Sequence, residues 1–128
     1  MTNKDSSDSP YITFEIENSF LIGTYKKGVI IDLEIAKRIM QQRLSFQNGN
    51  NYLILADARS IKSVSKEARD YFAIRDDGII ALAVLGENSI SNIIINMFIT
   101  FSKPRMVTRA FTNKENALKW LSQFKTNS

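Results

Sequence analysis

At 128 residues, 44% of them hydrophobic, the chain has the length of one typical domain and enough apolar side chain to bury a core without covalent staples. It contains no cysteine and no histidine, which removes disulfides, thiolate metal sites, a cysteine nucleophile, the commonest metal ligand and the side chain most used as a general base near neutral pH. A non-catalytic protein of the reducing cytoplasm, with no metal and no cofactor, is therefore expected, and its net charge of +4 does not point to nucleic acid, because the basic residues form no block of five and do not alternate with aromatics.

Residues 1–10 are polar and lack the apolar run of a secretory leader, so they are expected to be a disordered tail ahead of a single domain over residues 11–125. In residues 11–17, Ile12, Phe14 and Ile16 alternate with Thr13, Glu15 and Glu17, the pattern of a half-buried strand. Asn18 and Ser19 break it before a second β-branched run, Phe20–Tyr25, and the pair reads as an antiparallel hairpin.

Asp32 is placed to cap a helix whose apolar residues Leu33, Ala36, Met40 and Leu44 recur at helical spacing until Asn48, Gly49 and Asn50. A second stripe, Ile35, Ile39 and Phe46, widens its apolar face beyond what one sheet contact needs, so a neighbouring helix or a partner should cover it. Residues 52–56 form a buried-type strand ending at Asp57, and Ser65 caps a helix with Ala68, Tyr71 and Phe72 inside. Ile79–Leu85 is apolar on both alternating faces and reads as the middle strand of the sheet.

Residues 89–102 carry no charge; the spacing places Ile90, Ile93, Ile94, Met97, Phe98 and Phe101 on the inner face of a helix and leaves Ile95 and Ile99 outward. A strand over residues 106–111 and a helix capped by Asn113, with Ala117, Trp120, Leu121 and Phe124 inward, complete the chain. The order is β-β-α-β-α-β-α-β-α: an α/β fold with a mixed sheet, opened by an N-terminal antiparallel hairpin and continued by parallel strands. No apolar run reaches the roughly 20 residues of a membrane span.

Residues 53–59, Leu-Ile-Leu-Ala-Asp-Ala-Arg, followed by Val64-Ser65-Lys66-Glu67-Ala68, sit within that order as in the STAS domains of SpoIIAA-type anti-sigma-factor antagonists, and the chain resembles these and the uncharacterised bacterial SpoIIAA-like proteins. The resemblance implies a strand-end aspartate at Asp57 and a helix whose start carries the phosphorylated serine of an Asp-Ser-Ser-Gly-like motif. Here Ser65 falls on the motif's aspartate and Lys66 on its phosphoacceptor, so the switch serine is missing; a loop one residue different in length would make Ser65 the acceptor, while its simplest role is the helix cap. Proteins of this kind are also compared with the Sec14 lipid-binding fold, which implies an apolar ligand cavity between helices and sheet.

The five glycines stand alone, without phosphate-loop or dinucleotide spacing. Asp57 and Arg59, which follow a strand's carboxyl end, together with Arg105 and Arg109, form the least ordinary constellation: such arginines clamp a carboxylate or phosphate, or pair with Asp57, or face water. The first expectation is thus a regulatory protein-interaction module, acting on a protein partner or as a homodimer, with a contact surface built from the helices that begin at Ser65 and Ser89 and including Ile95 and Ile99. The second is a carrier of a small apolar or anionic molecule or lipid, with a pocket beside the helix of residues 89–102 and Arg105 or Arg109 at the head group.

Overall fold

A computed structural model describes residues 5–125. Its strands are β1 (Ser6–Asp8), β2 (Ile12–Glu17), β3 (Phe20–Tyr25), β4 (Ile30–Ile31), β5 (Tyr52–Asp57), β6 (Ser63–Val64), β7 (Ile79–Leu85) and β8 (Thr108–Phe111). Its α-helices are α1 (Leu33–Gln47), α2 (Lys66–Ala73), α3 (Ser89–Met97) and α4 (Lys114–Ser122), with a π-helical turn over Phe98–Ser102. Six strands form one sheet in the order β1-β2-β3-β5-β7-β8. The expected mixed α/β architecture holds: β2 and β3 pair antiparallel, and β3, β5, β7 and β8 run parallel.

Alternation along the strands builds two cores. Ile12, Phe14, Leu21, Ile54, Leu82 and Val84 face α1, α2 and α3 through Ala36, Ile39, Ala68 and Ile95. Phe20, Ile22, Leu53, Leu55, Ala81, Ala83 and Leu85 face α4 through Ala117 and Leu121. The strands between carry apolar side chains on both faces because helices cover both, as parallel sheets require. The apolar excess of α1 is covered within the chain, since α1 packs on α2.

Four expectations are corrected. Part of the supposed disordered tail is an edge strand: β1 pairs antiparallel with β2, Ser7 opposite Phe14, secured by Asp8, whose carboxylate accepts from Thr13 at 2.5 Å and lies 2.7 Å from Lys26 Nζ. Its polar composition suits an edge, where one side of the ladder is wet; residues 1–4 lie outside the described residues. β7 is not the middle of the sheet, since it has β5 on one side and the short edge strand β8 on the other. β4 and β6, too short to show a period, form a separate two-stranded parallel pair.

The fourth correction concerns α3, whose inner face is turned from the expected one: Ile94 and Phe98 pack against the core as expected, but three of the six residues expected inward do not. Ile95 is buried in the first core and Ile99 is half-buried against it, whereas Ile90, Ile93 and Phe101 are 55%, 58% and 76% exposed. The cause is a capping box. Asn88 Oδ1 accepts from the Ser91 backbone at 2.9 Å, and Ser91 Oγ accepts from the Glu87 and Asn88 backbones at 2.9 and 3.1 Å. That draws Ser91 fully inside, and Ile95, one turn on, shares its face.

Candidate ligand-binding cavity

The first core is not filled. Adjacent strands place Phe14, Gly23, Ala56 and Val84 in one row across the sheet. The row beside it holds Leu21, Ile54 and Leu82. Gly23 and Ala56, side by side, contribute almost no side-chain volume. Phe14 leans over Gly23, where a Cβ would lie 2.9 Å from the ring, and stacks on Phe46 of α1 with centroids 6.4 Å apart. Above this row, between sheet and helices, lies a half-open cavity of about 120 Å³. It explains why Ala56, on an interior strand, is only half-buried while its neighbour Leu55 is fully buried.

The helices close the roof. Ile39, Met40 and Arg43 come from α1, Arg69 and Phe72 from α2, and Ile94, Ile95 and Phe98 from α3 and its π-turn. α3 sits close because Gly86 ends β7 without a side chain: a Cβ there would lie 2.5 Å from Asn92 Oδ1 and 2.7 Å from Ile95 Cδ1. The β4–β6 pair supplies Ile31 and Val64 and joins α2 to the rest, the Ser65 N–H donating to the Ile31 carbonyl at 2.9 Å.

The ionisable groups of the wall are three arginines and Tyr25. Arg43 is buried, and its donors are committed to Gln47 Oε1, to the carbonyls of Asp77 at 2.9 Å and Arg75 at 3.4 Å, and to Met40 sulfur. Burial lowers its pKa, partly offset by Tyr25 and Asp77. Burial in turn pushes the Tyr25 phenol up to about 12, opposed by the Arg43 charge. Arg69 Nη1 donates to the Val64 carbonyl at 2.6 Å, but its Nε is buried with no partner among the described residues. Arg75 lies 4.6 Å over the Tyr71 ring.

The residues singled out in the sequence are dispersed. Arg59 and Asp57 pair with each other in a two-pronged contact, Nε to Oδ1 at 2.9 Å and Nη2 to Oδ2 at 2.8 Å, which raises the Arg59 pKa. Arg109 instead lies 5.3 Å over the Phe111 ring. The Arg105 backbone is tied to the end of α2 through the Ala73 carbonyl at 2.8 Å. Neither forms an ion pair among the described residues, and neither lines the cavity. Ser65 caps α2, its Oγ accepting from the Ala68 N–H at 3.1 Å, and Lys66 pairs with Asp70 at 2.8 Å.

The arginines that do line it, Arg43, Arg69 and Arg75, look in the sequence like ordinary polar positions of two helices. Among the described residues no cluster of three metal-ligating side chains occurs, and no helix is long and apolar enough to cross a membrane.

The fold is that of the SpoIIAA-like proteins. An uncharacterised protein of the DUF3478 family from Shewanella loihica PV-4, whose crystal structure has a SpoIIAA-like fold, superposes with a TM-score of 0.60 over 91% of this chain and 98% of that one, at 18% sequence identity. No curated protein matches the sequence. A family model, that of a domain of unknown function named DUF7793, matches residues 14–125, and the chain belongs to that family.

Proposed function

We propose that the protein is a non-catalytic cytoplasmic binding module that takes a small, largely apolar molecule into the cavity above Gly23 and Ala56. The observation that carries this reading is the cavity itself. Protein interiors are close-packed, with few voids larger than a water molecule, so a half-open apolar cavity of about 120 Å³ is an uncommon feature for a core and exposes apolar wall that a ligand would cover. An engineered apolar cavity of about 150 Å³ holds benzene, so this one suits a body of roughly six carbons, with any remainder at the open side. Calorimetric titration with 1-hexanol tests it: saturable one-to-one binding with a negative heat-capacity change is expected, and absence of binding at its solubility limit defeats the reading.

A second reading, a regulatory protein-interaction module, is favoured by one specific feature. Ile90, Ile93 and Phe101 stand exposed on a segment without charge, where solvated helices carry Lys or Glu. A charge-free face meets a second copy of itself without repulsion, so a homodimer through α3 is the occupant this reading names. Sedimentation equilibrium of the wild type against Ile93→Lys decides it: a dimer lost in the variant supports the reading, and a monomer at every concentration removes it.

A further inference from the structure

We infer that the cavity is selective for an anion, a carboxylate attached to the apolar body, with Arg69 receiving it; the inference rests on the ligand-binding reading above and adds the head group. Three guanidiniums, those of Arg43, Arg69 and Arg75, stand in the wall, and no Asp or Glu does. None of the three has a carboxylate within ion-pair distance among the described residues. Three cations around an apolar space of low dielectric favour an anion and disfavour an amine, since a charge there is little screened.

The arginines are not equivalent. Arg43 has its donors on Gln47, Met40 and the carbonyls of Arg75 and Asp77, which makes it part of the fold. Arg69 makes one hydrogen bond, to the Val64 carbonyl, and its Nε is the only buried side-chain nitrogen or oxygen among the described residues that lacks a partner. A buried donor without an acceptor is costly; Nε itself has no accessible surface as the side chain stands, and a small turn of Arg69 toward the cavity it lines would give its guanidinium a carboxylate acceptor there. A guanidinium offers paired donors that suit the two oxygens of such a group.

The test compares three probes with one six-carbon body: hexanoate, 1-hexanol and hexylamine, titrated calorimetrically into the full chain at neutral pH. Hexanoate is expected to bind at least about tenfold more tightly than hexanol, the lower end of what a hydrogen bond to a charged group contributes, and hexylamine more weakly than either. Equal affinity for all three leaves the cavity reading standing and overturns the anion inference; binding of none overturns both. Arg69→Met should abolish the preference for hexanoate and keep hexanol binding. Should that variant fail to fold by circular dichroism, the wild-type comparison decides alone. Tighter binding of palmitate would identify a fatty acid as the source of the carboxylate, and tighter binding of benzoate an aryl acid.

Discussion

Arg43 donates through Nη1 to Oε1 of Gln47, one turn further along α1, and both side chains are buried, 7% and 2% exposed. Gln47 passes the link on: its Nε2 donates to the carbonyls of Asn50 at 2.8 Å and Gly78 at 3.0 Å. The end of α1 is thereby tied to the turn that starts β7, and that turn needs glycine, since Gly78 has φ +75° and a Cβ would lie 2.5 Å from Gln47 Nε2. Gln47→Ala leaves Arg43 short of an acceptor and the Gly78 carbonyl short of a donor. It should destabilise the fold by about 2–4 kcal/mol, read from urea denaturation. A loss below about 0.5 kcal/mol, the ordinary range for surface changes, would show that the network is not coupled to folding.

Tyr25 predicts the behaviour in alkali. Its phenol, raised by burial from the ordinary 10.0 to about 12, favours the neutral form in the folded state. The associated stability is therefore complete below pH 10 and is lost as pH rises through 12. Spectrophotometric titration should show one tyrosine ionising near pH 12, together with the onset of unfolding. Tyr25→Phe should remove that step, and its persistence in the variant would assign it to another tyrosine.

The turned inner face of α3 makes opposite predictions for two isoleucines two positions apart. Ile95 is 3% exposed and Ile93 is 58% exposed. Ile95→Lys buries an unpaired charge and should cost at least about 3 kcal/mol or prevent folding. Ile93→Lys should change monomer stability by no more than about 0.5 kcal/mol. Thermal unfolding of the two variants side by side settles the phase, and the reverse ranking would restore the facing expected from the sequence.

Much of the fold is legible in the sequence because its signals are local. Asp32, Ser65 and Asn113 each cap the helix they are expected to cap, their side chains accepting from Ile35, Ala68 and Asn116, and the expected strand is β2, with Ile12 and Phe14 buried as the alternation requires but Ile16, toward the hairpin turn, exposed. The phase of α3 is only partly legible, with Ile94 and Phe98 on the core as expected but Ile90 and Ile93 outside, because isoleucine occupies both of its faces and a serine, polar by composition, is pulled inside to complete a cap. A pocket beside the helix of residues 89–102 is expected from the sequence, and Ile94, Ile95 and Phe98 do line the cavity, but its floor is not legible there. Gly23 and Ala56 lie 33 positions apart and become neighbours only through the register of β3 on β5, which no local pattern carries. The constellation of Asp57, Arg59, Arg105 and Arg109 follows from strand ends, and none of its members lines the cavity, whose arginines come from α1, from α2 and from the turn after α2.

The hairpin turn between β2 and β3 places both Asn18 and Ser19 at positive φ, 51° and 74°. A two-residue loop of this kind prefers Asn followed by Gly, and serine in the left-handed region is strained. Ser19→Gly should stabilise the protein by about 0.5–1 kcal/mol without moving the register. A shift of the denaturation midpoint upward at unchanged slope is the expected result, and a downward shift would mean that the serine makes a compensating contact.

Ala56→Val offers the most direct probe of the void, because it adds two carbons at the cavity floor on a strand position that favours β-branching. Each buried carbon contributes about 0.8 kcal/mol where space exists, so the variant should gain about 1 kcal/mol. In a packed core the same change would overfill and cost about 1–3 kcal/mol. The sign of the effect therefore reports whether the space is real in solution. The binding side must move the other way: a floor raised by two carbons leaves less room for a six-carbon body, and hexanol affinity should fall by about tenfold, the equivalent of 1.4 kcal/mol. Stability and affinity changing in opposite directions would place the ligand above Ala56, whereas a gain in stability with unchanged affinity would move the ligand away from this row of the sheet.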